Sequence, residues 1–138
     1  MNPMEQLVRL QEWTVEERRR RLNEVEALAD RLRRDLAALD TTLEQEAKAA
    51  ETSLEARRAF PSYAAVMKQR RERLLASVRE VEKEIAKTQE ELTAAYQDMK
   101  KTEITVANRK ARRRRDVDRR EQAVSDEIGA NIVRRRGE

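Results

Sequence analysis

The stretch from Val78 to Val106, VREVEKEIAKTQEELTAAYQDMKKTEITV, decides the fold. Read in sevens, it puts Val78, Ile85, Leu92, Met99 and Val106 on one row, with Val81, Thr88, Ala95 and Thr102 on the row three residues further on. Steps of three and four make the seam of a coiled coil, and neither Gly nor Pro interrupts this one. The first half of the chain supplies a matching seam. Val8, Val15, Leu22, Ala29, Leu36, Leu43 and Ala50 form one row, and Gln11, Arg18, Val25, Leu32, Leu39, Glu46 and Ser53 form its companion. The pattern predicts an all-α protein, two long helices in an antiparallel coiled-coil hairpin, the second longer and ending in a C-terminal overhang.

Composition narrows the function. Charged residues make up 42% of the 138 and aromatics only 3%, a balance that would read as disorder if the apolar residues did not keep step. There is no Cys and no His, so disulfides, Cys/His zinc sites, imidazole bases and thiol nucleophiles are excluded. The carboxylates sit among Arg and Lys on helical surface, and the two Gly are isolated near the end, so no phosphate-cradling loop is present. The expectation is a non-enzyme with no catalytic residues, cofactor, metal or small-molecule substrate. The first residues do not read as a signal peptide, and no stretch approaches the ~20 apolar residues of a membrane span, so a cytoplasmic protein is expected.

The chain reads as a single helical-hairpin domain over residues 1–138. Asn2, Pro3 and Glu5 are suited to cap, first helical position and capping box, so helix one is expected from about residue 3 to 52. The corner is expected at about 53–62, with Phe60 before Pro61 its sharpest point. Helix two then follows from about 62 to 133. The polar exceptions suggest a register in which Glu46 faces Arg71, Leu39 faces Val78, Val25 faces Leu92, and Pro3 faces Arg114. Pairing the seam acid with the seam base avoids leaving either charge uncompensated.

Beyond that register, about twenty residues after Arg115 have no helix to cover them. They carry an apolar stripe, Val117, Val124, Ile128 and Ile132, that a lone helix cannot bury. The basic charge lies here too. Of the chain's 31 Lys/Arg and 27 Asp/Glu, eleven and six fall in Arg109–Glu138, leaving twenty against twenty-one elsewhere. Arg112, Arg113, Arg114 and Arg115 form its collar, suited to an acidic protein surface or to nucleic acid. Nucleic acid is disfavoured, because no aromatic lies nearby to stack on bases and Asp116, Asp118 and Glu121 follow at once. Leu10 and Trp13 fall off the seam, either as a binding patch or under a fold-back of the C-terminal segment. Phe60 and Tyr63 either plug the end of the seam or meet a partner. Arg18 to Arg21, after Glu16 and Glu17, read as salt-bridged surface.

The run Leu7-Val8-Arg9-Leu10-Gln11-Glu12-Trp13 to Arg18-Arg19-Arg20-Arg21-Leu22 resembles the start of the flagellar export protein FliJ family. The Phe60-Pro61-Ser62-Tyr63 segment, the Glu/Lys-rich return helix and the late Glu121 to Glu127 run extend the resemblance over nearly the whole chain. It implies a coiled-coil stalk of the type III export apparatus, similar to the rotor stalk of rotary ATPases. The implied partners are the hexameric export ATPase, whose pore takes the paired chain ends, the cytoplasmic region of the export gate, and export chaperones. The implied location is cytoplasmic and peripheral at the inner-membrane export apparatus. A basic nucleic-acid-binding coiled coil and a purely structural spacer remain the alternatives.

Overall fold

The computed structural model describes residues 2–137, and they form two helices, α1 (Pro3–Thr52) and α2 (Leu54–Arg136). The fold is a two-helix antiparallel hairpin, and no strand occurs among the described residues. Two compact units are recognised: Thr14–Ala95, and the pairing of Met1–Trp13 with Tyr96–Glu138. Each helix passes through both.

In the Thr14–Ala95 unit the core is a single thin seam. Its buried residues are Val15, Val25, Ala29, Leu39 and Ala50 from α1 with Val78 and Thr88 from α2. Every one is a seam position read from the heptads. Thr88 is the most enclosed polar side chain, at 1% exposure, and its hydroxyl donates to the Glu84 carbonyl one turn back at 2.7 Å. That local bond meets the hydroxyl's need without an unpaired partner across the seam. The flanks are laced by ion pairs. Arg18, Arg21, Arg33 and Arg71 reach Glu91, Glu84, Glu82 and Asp40 on the opposing helix. Arg19 and Arg20 pair within α1 with Glu16 and Glu17.

The corner differs from the sequence expectation. Only Ser53 is non-helical between the helices, and Phe60, Pro61 and Tyr63 lie inside α2. Ser53 caps the new helix, its hydroxyl accepting from the Ala56 amide at 3.4 Å and its carbonyl from the Arg57 amide at 3.0 Å. Arg57 then reaches back, donating from Nε to the Ala50 carbonyl at 3.4 Å and from Nη2 to the Glu51 carbonyl at 3.2 Å. The last turn of α1 has no basic residue of its own, so Arg57 supplies the cation its carbonyl end favours. These bonds outweigh the local preference of the residue before Pro61. The proline's ring still leaves the Arg57 carbonyl without the amide donor that a helix provides.

The register differs with it. Arg71 does not meet Glu46; its Nε donates to Asp40 Oδ1 at 2.8 Å, and Glu46 is exposed. Glu82 and Glu91 likewise find partners, Arg33 and Arg18, nearer the N-terminus of α1 than the expected register gives. An earlier corner draws each α2 residue back along α1, by about one heptad. The seam survives this because a heptad shift returns the same rows to face each other.

Candidate partner-binding end

The second unit contains most of the chain's candidate binding residues. Asn2 begins α1 as the sequence implies, its Oδ1 accepting from the Glu5 amide at 2.8 Å. Against α2 the first turns of α1 place Met4, Val8 and Gln11 at half-buried positions beside a seam of Met99, Thr102 and Val106. Met99 is buried, and the amide oxygen of Gln11 is buried without a partner. An open cleft of about 470 Å³ runs between the helices here, lined by Val8, Glu12, Glu103, Val106 and Lys110 among others. Lys100 sits 5.4 Å above the Tyr96 ring and donates to Glu103 at 3.1 Å. The Glu103 hydrogen bond and charge, with a smaller contribution from Tyr96, hold its ammonium protonated above the ordinary lysine range.

The α1 start lies beside Val106, Arg109, Lys110 and Arg113, where a second cleft also touches Asn2, Pro3 and Met4. The expected neighbour of Pro3 was Arg114, so the covered part of α2 ends earlier, as the shifted register requires. From Ala107 through Gly137 every residue is exposed. This arm is nevertheless helical to Arg136.

The collar of Arg112, Arg113, Arg114 and Arg115 lies in this arm, and none of the four makes an ion pair within 4 Å among the described residues. Beyond it, Arg119 pairs with Asp116 at 2.6 Å and Gln122 donates to Asp126 at 2.9 Å. Val117, Val124 and Ile128 are 48%, 54% and 54% exposed. At ~100° per residue they continue the face on which Val106 closes the seam. The structure therefore puts the collar and the stripe on one helical arm. Leu10 and Trp13 are 59% and 61% exposed, and the C-terminal segment runs on as helix rather than folding over them. Leu7, also exposed, joins them on α1. The apolar residues off the heptad rows were the available signal for Leu7, and for the exposed Ile104 on α2.

The remaining candidates lie in the Thr14–Ala95 unit. Phe60 and Tyr63 are half-buried on α2, and Tyr63 shares a cleft with Asp35, Leu39, Thr42 and Met67. Asp40 and Arg57 carry no signal in the heptad pattern, and Ser53, a seam-row position at the edge of the expected corner, acts as a cap instead. No group of three or more His, Cys, Asp or Glu able to hold a metal occurs among the described residues.

A hairpin with a bare basic arm is a shape that many coiled coils could share. The decisive observation is the match of residues 1–138 to the family model described as Flagellar FliJ protein. The chain belongs to the flagellar FliJ protein family. It is thus a coiled-coil component of the flagellar export apparatus, belonging to flagellar export and motility. No curated protein and no solved structure matches this FliJ-family chain. No helix among its described residues is long and apolar enough to cross a membrane, so association with the export machinery is not through a helical span of those residues.

Proposed function

We propose that the chain is a non-enzymatic stalk and adaptor of the export apparatus, gripping the hexameric export ATPase with the α2 arm. The observation that carries this is the arm itself, helical to Arg136 and wholly exposed from Ala107 to Gly137, with four arginines that make no ion pair among the described residues, followed by an apolar stripe. A lone helix with such a stripe is marginal in water and gains order from a partner. Arg112 to Arg115 meet acidic groups of the ring, and Val117, Val124 and Ile128 supply apolar contact. The stalk performs no chemistry. It acts as an ATPase regulator, biasing the ring by contacting its states unequally.

On this reading the export gate's cytoplasmic region and export chaperones are further partners, with Leu10, Trp13, Phe60 and Tyr63 as weaker contact candidates. The protein works in the cytoplasm, peripheral to the inner membrane. The test is to add purified chain to a purified hexameric export ATPase. Hydrolysis should rise several-fold, and a chain ending at Arg115 should lose most of the effect. Equal stimulation by the shortened chain would reject the arm as the grip. The unpaired collar also favours a second reading, RNA binding, which predicts an affinity falling steeply with salt.

A further inference from the structure

The seam is unequally fastened in the two units. Within Thr14–Ala95 the helices bury Val15, Val25, Ala29, Leu39 and Ala50 of α1 with Val78 and Thr88 of α2. Arg18, Arg21, Arg33 and Arg71 pair across that stretch of the hairpin. The α1 part of the other unit is fastened by neither means. No residue from Asn2 to Trp13 is buried, and no ion pair joins that stretch to α2 among the described residues.

Its seam contacts are also poor. Met4 and Val8 are only half-buried, and the cleft of about 470 Å³ beside Val8 and Val106 leaves the helices loosely packed there. Next along comes Gln11, whose amide oxygen is buried without a partner, so closing this part of the seam leaves a polar atom unpaired. The N-terminal end of α1 carries partial positive charge, and Arg109, Lys110 and Arg113 line the cleft beside it. That is like charge, which Glu5 in the first turn offsets only in part. A short helical stretch keeps its place by burying an apolar face, and this one buries little.

We propose that the start of α1, Pro3 to Trp13, is a detachable cover that opens from α2 as a local unit, ahead of any opening in Thr14–Ala95. It covers Met99, which is buried, and Val106, which is half-buried. At ~100° per residue Met99 lies on the same face of α2 as Val117, about five turns on, and Val106 falls ~20° from it. Opening therefore lengthens the arm's apolar face by these two side chains, and the closed cover withholds them from a partner. The device is an autoinhibitory contact built into the fold, and it stands whatever partner the arm takes.

The chain has no native cysteine, so a single introduced thiol reports opening at its own site. Met99 and Val78 are both 8% exposed, the first under the cover and the second in the Thr14–Ala95 seam. Unequal labelling of Met99→Cys and Val78→Cys by a chromogenic thiol reagent therefore reads motion rather than static exposure. Met99→Cys should react ~tenfold faster or more, at a rate almost flat in urea below the unfolding transition, because a local opening exposes little surface. Gln11→Leu replaces the unpaired amide with an apolar side chain. It should slow the Met99→Cys reaction by about tenfold and leave the Val78→Cys reaction within about twofold. In the chain without substitutions, amide exchange at Val8 to Trp13 should likewise run ~tenfold faster or more than at Leu22 to Leu39. Equal labelling of the two thiols, rising together with urea, overturns the proposal. So does a Met99→Cys rate that Gln11→Leu leaves unmoved, or equal amide exchange in the two stretches.

Discussion

Thr88 is the residue whose environment most constrains the seam. Its side chain is enclosed, and its hydroxyl is satisfied by the Glu84 carbonyl of its own helix, a carbonyl that the helix ladder already bonds. Thr88→Val therefore removes a polar atom without orphaning a partner, and should leave stability unchanged or raise it by up to ~1 kcal/mol. Thr88→Asp places an uncompensated charge there and should cost ~3 kcal/mol or more. Urea unfolding followed by dichroism measures both; equal midpoints for the two variants would mean that the seam is open to water. Arg71 is a contrasting case. Its guanidinium is held protonated above its ordinary range by the hydrogen bond and charge of Asp40, yet both side chains are more than a third exposed. Asp40→Asn should then leave the urea midpoint nearly unmoved. The pair's role is alignment more than strength.

The helices themselves were legible in the sequence because their periodicity is a property of each segment alone. Val15, Val25, Ala29, Leu39, Val78, Thr88 and Met99 fall on the seam from the heptad spacing alone, and all are buried. The alignment of the two helices was not legible, since a heptad repeat is blind to shifts of seven. What selects the alignment is a set of bonds at one corner, Ser53 to Ala56 and Arg57 to Ala50 and Glu51, and side-chain reach of this kind leaves no periodic trace. Local preference makes Pro61 a helix breaker, yet it is carried inside α2. The arm was legible for the opposite reason, as a stripe with nothing left in the chain to face it. Its helix is weakened at Gly129, where an added Cβ would meet nothing within 4 Å. Gly129→Ala should thus gain ~1 kcal/mol of local helix stability. Amide hydrogen exchange across 120–136 should slow by about fivefold while the seam's exchange is unaffected; no change would show that the arm's order is set elsewhere.

For the molecule as a whole, the proposed grip on the export ATPase rests on how unevenly the charge is spread, since the first 108 residues are nearly balanced. The excess of +5 lies in Arg109–Glu138, by eleven Lys/Arg against six Asp/Glu, and its collar stands unpaired in front of an apolar stripe. The two features act on different stages of binding. Exposed charge is felt over about 8 Å at physiological salt, so the collar guides encounter, and its effect fades as salt rises. The stripe acts only in contact, where desolvation slows dissociation. Replacing Arg112, Arg113, Arg114 and Arg115 by Gln should lower the association rate with the export ATPase by about tenfold at low salt, and should flatten its salt dependence. Replacing Val117, Val124 and Ile128 by Ser should leave the association rate within about twofold and raise the dissociation rate by tenfold or more, since each loses ~1 kcal/mol or more of apolar contact. Neither set touches the buried seam, so the main unfolding transition should stay in place. Surface plasmon resonance at three salt concentrations separates the two effects. If both variants changed only the association rate, the stripe would not be in the interface, and the grip would be electrostatic alone.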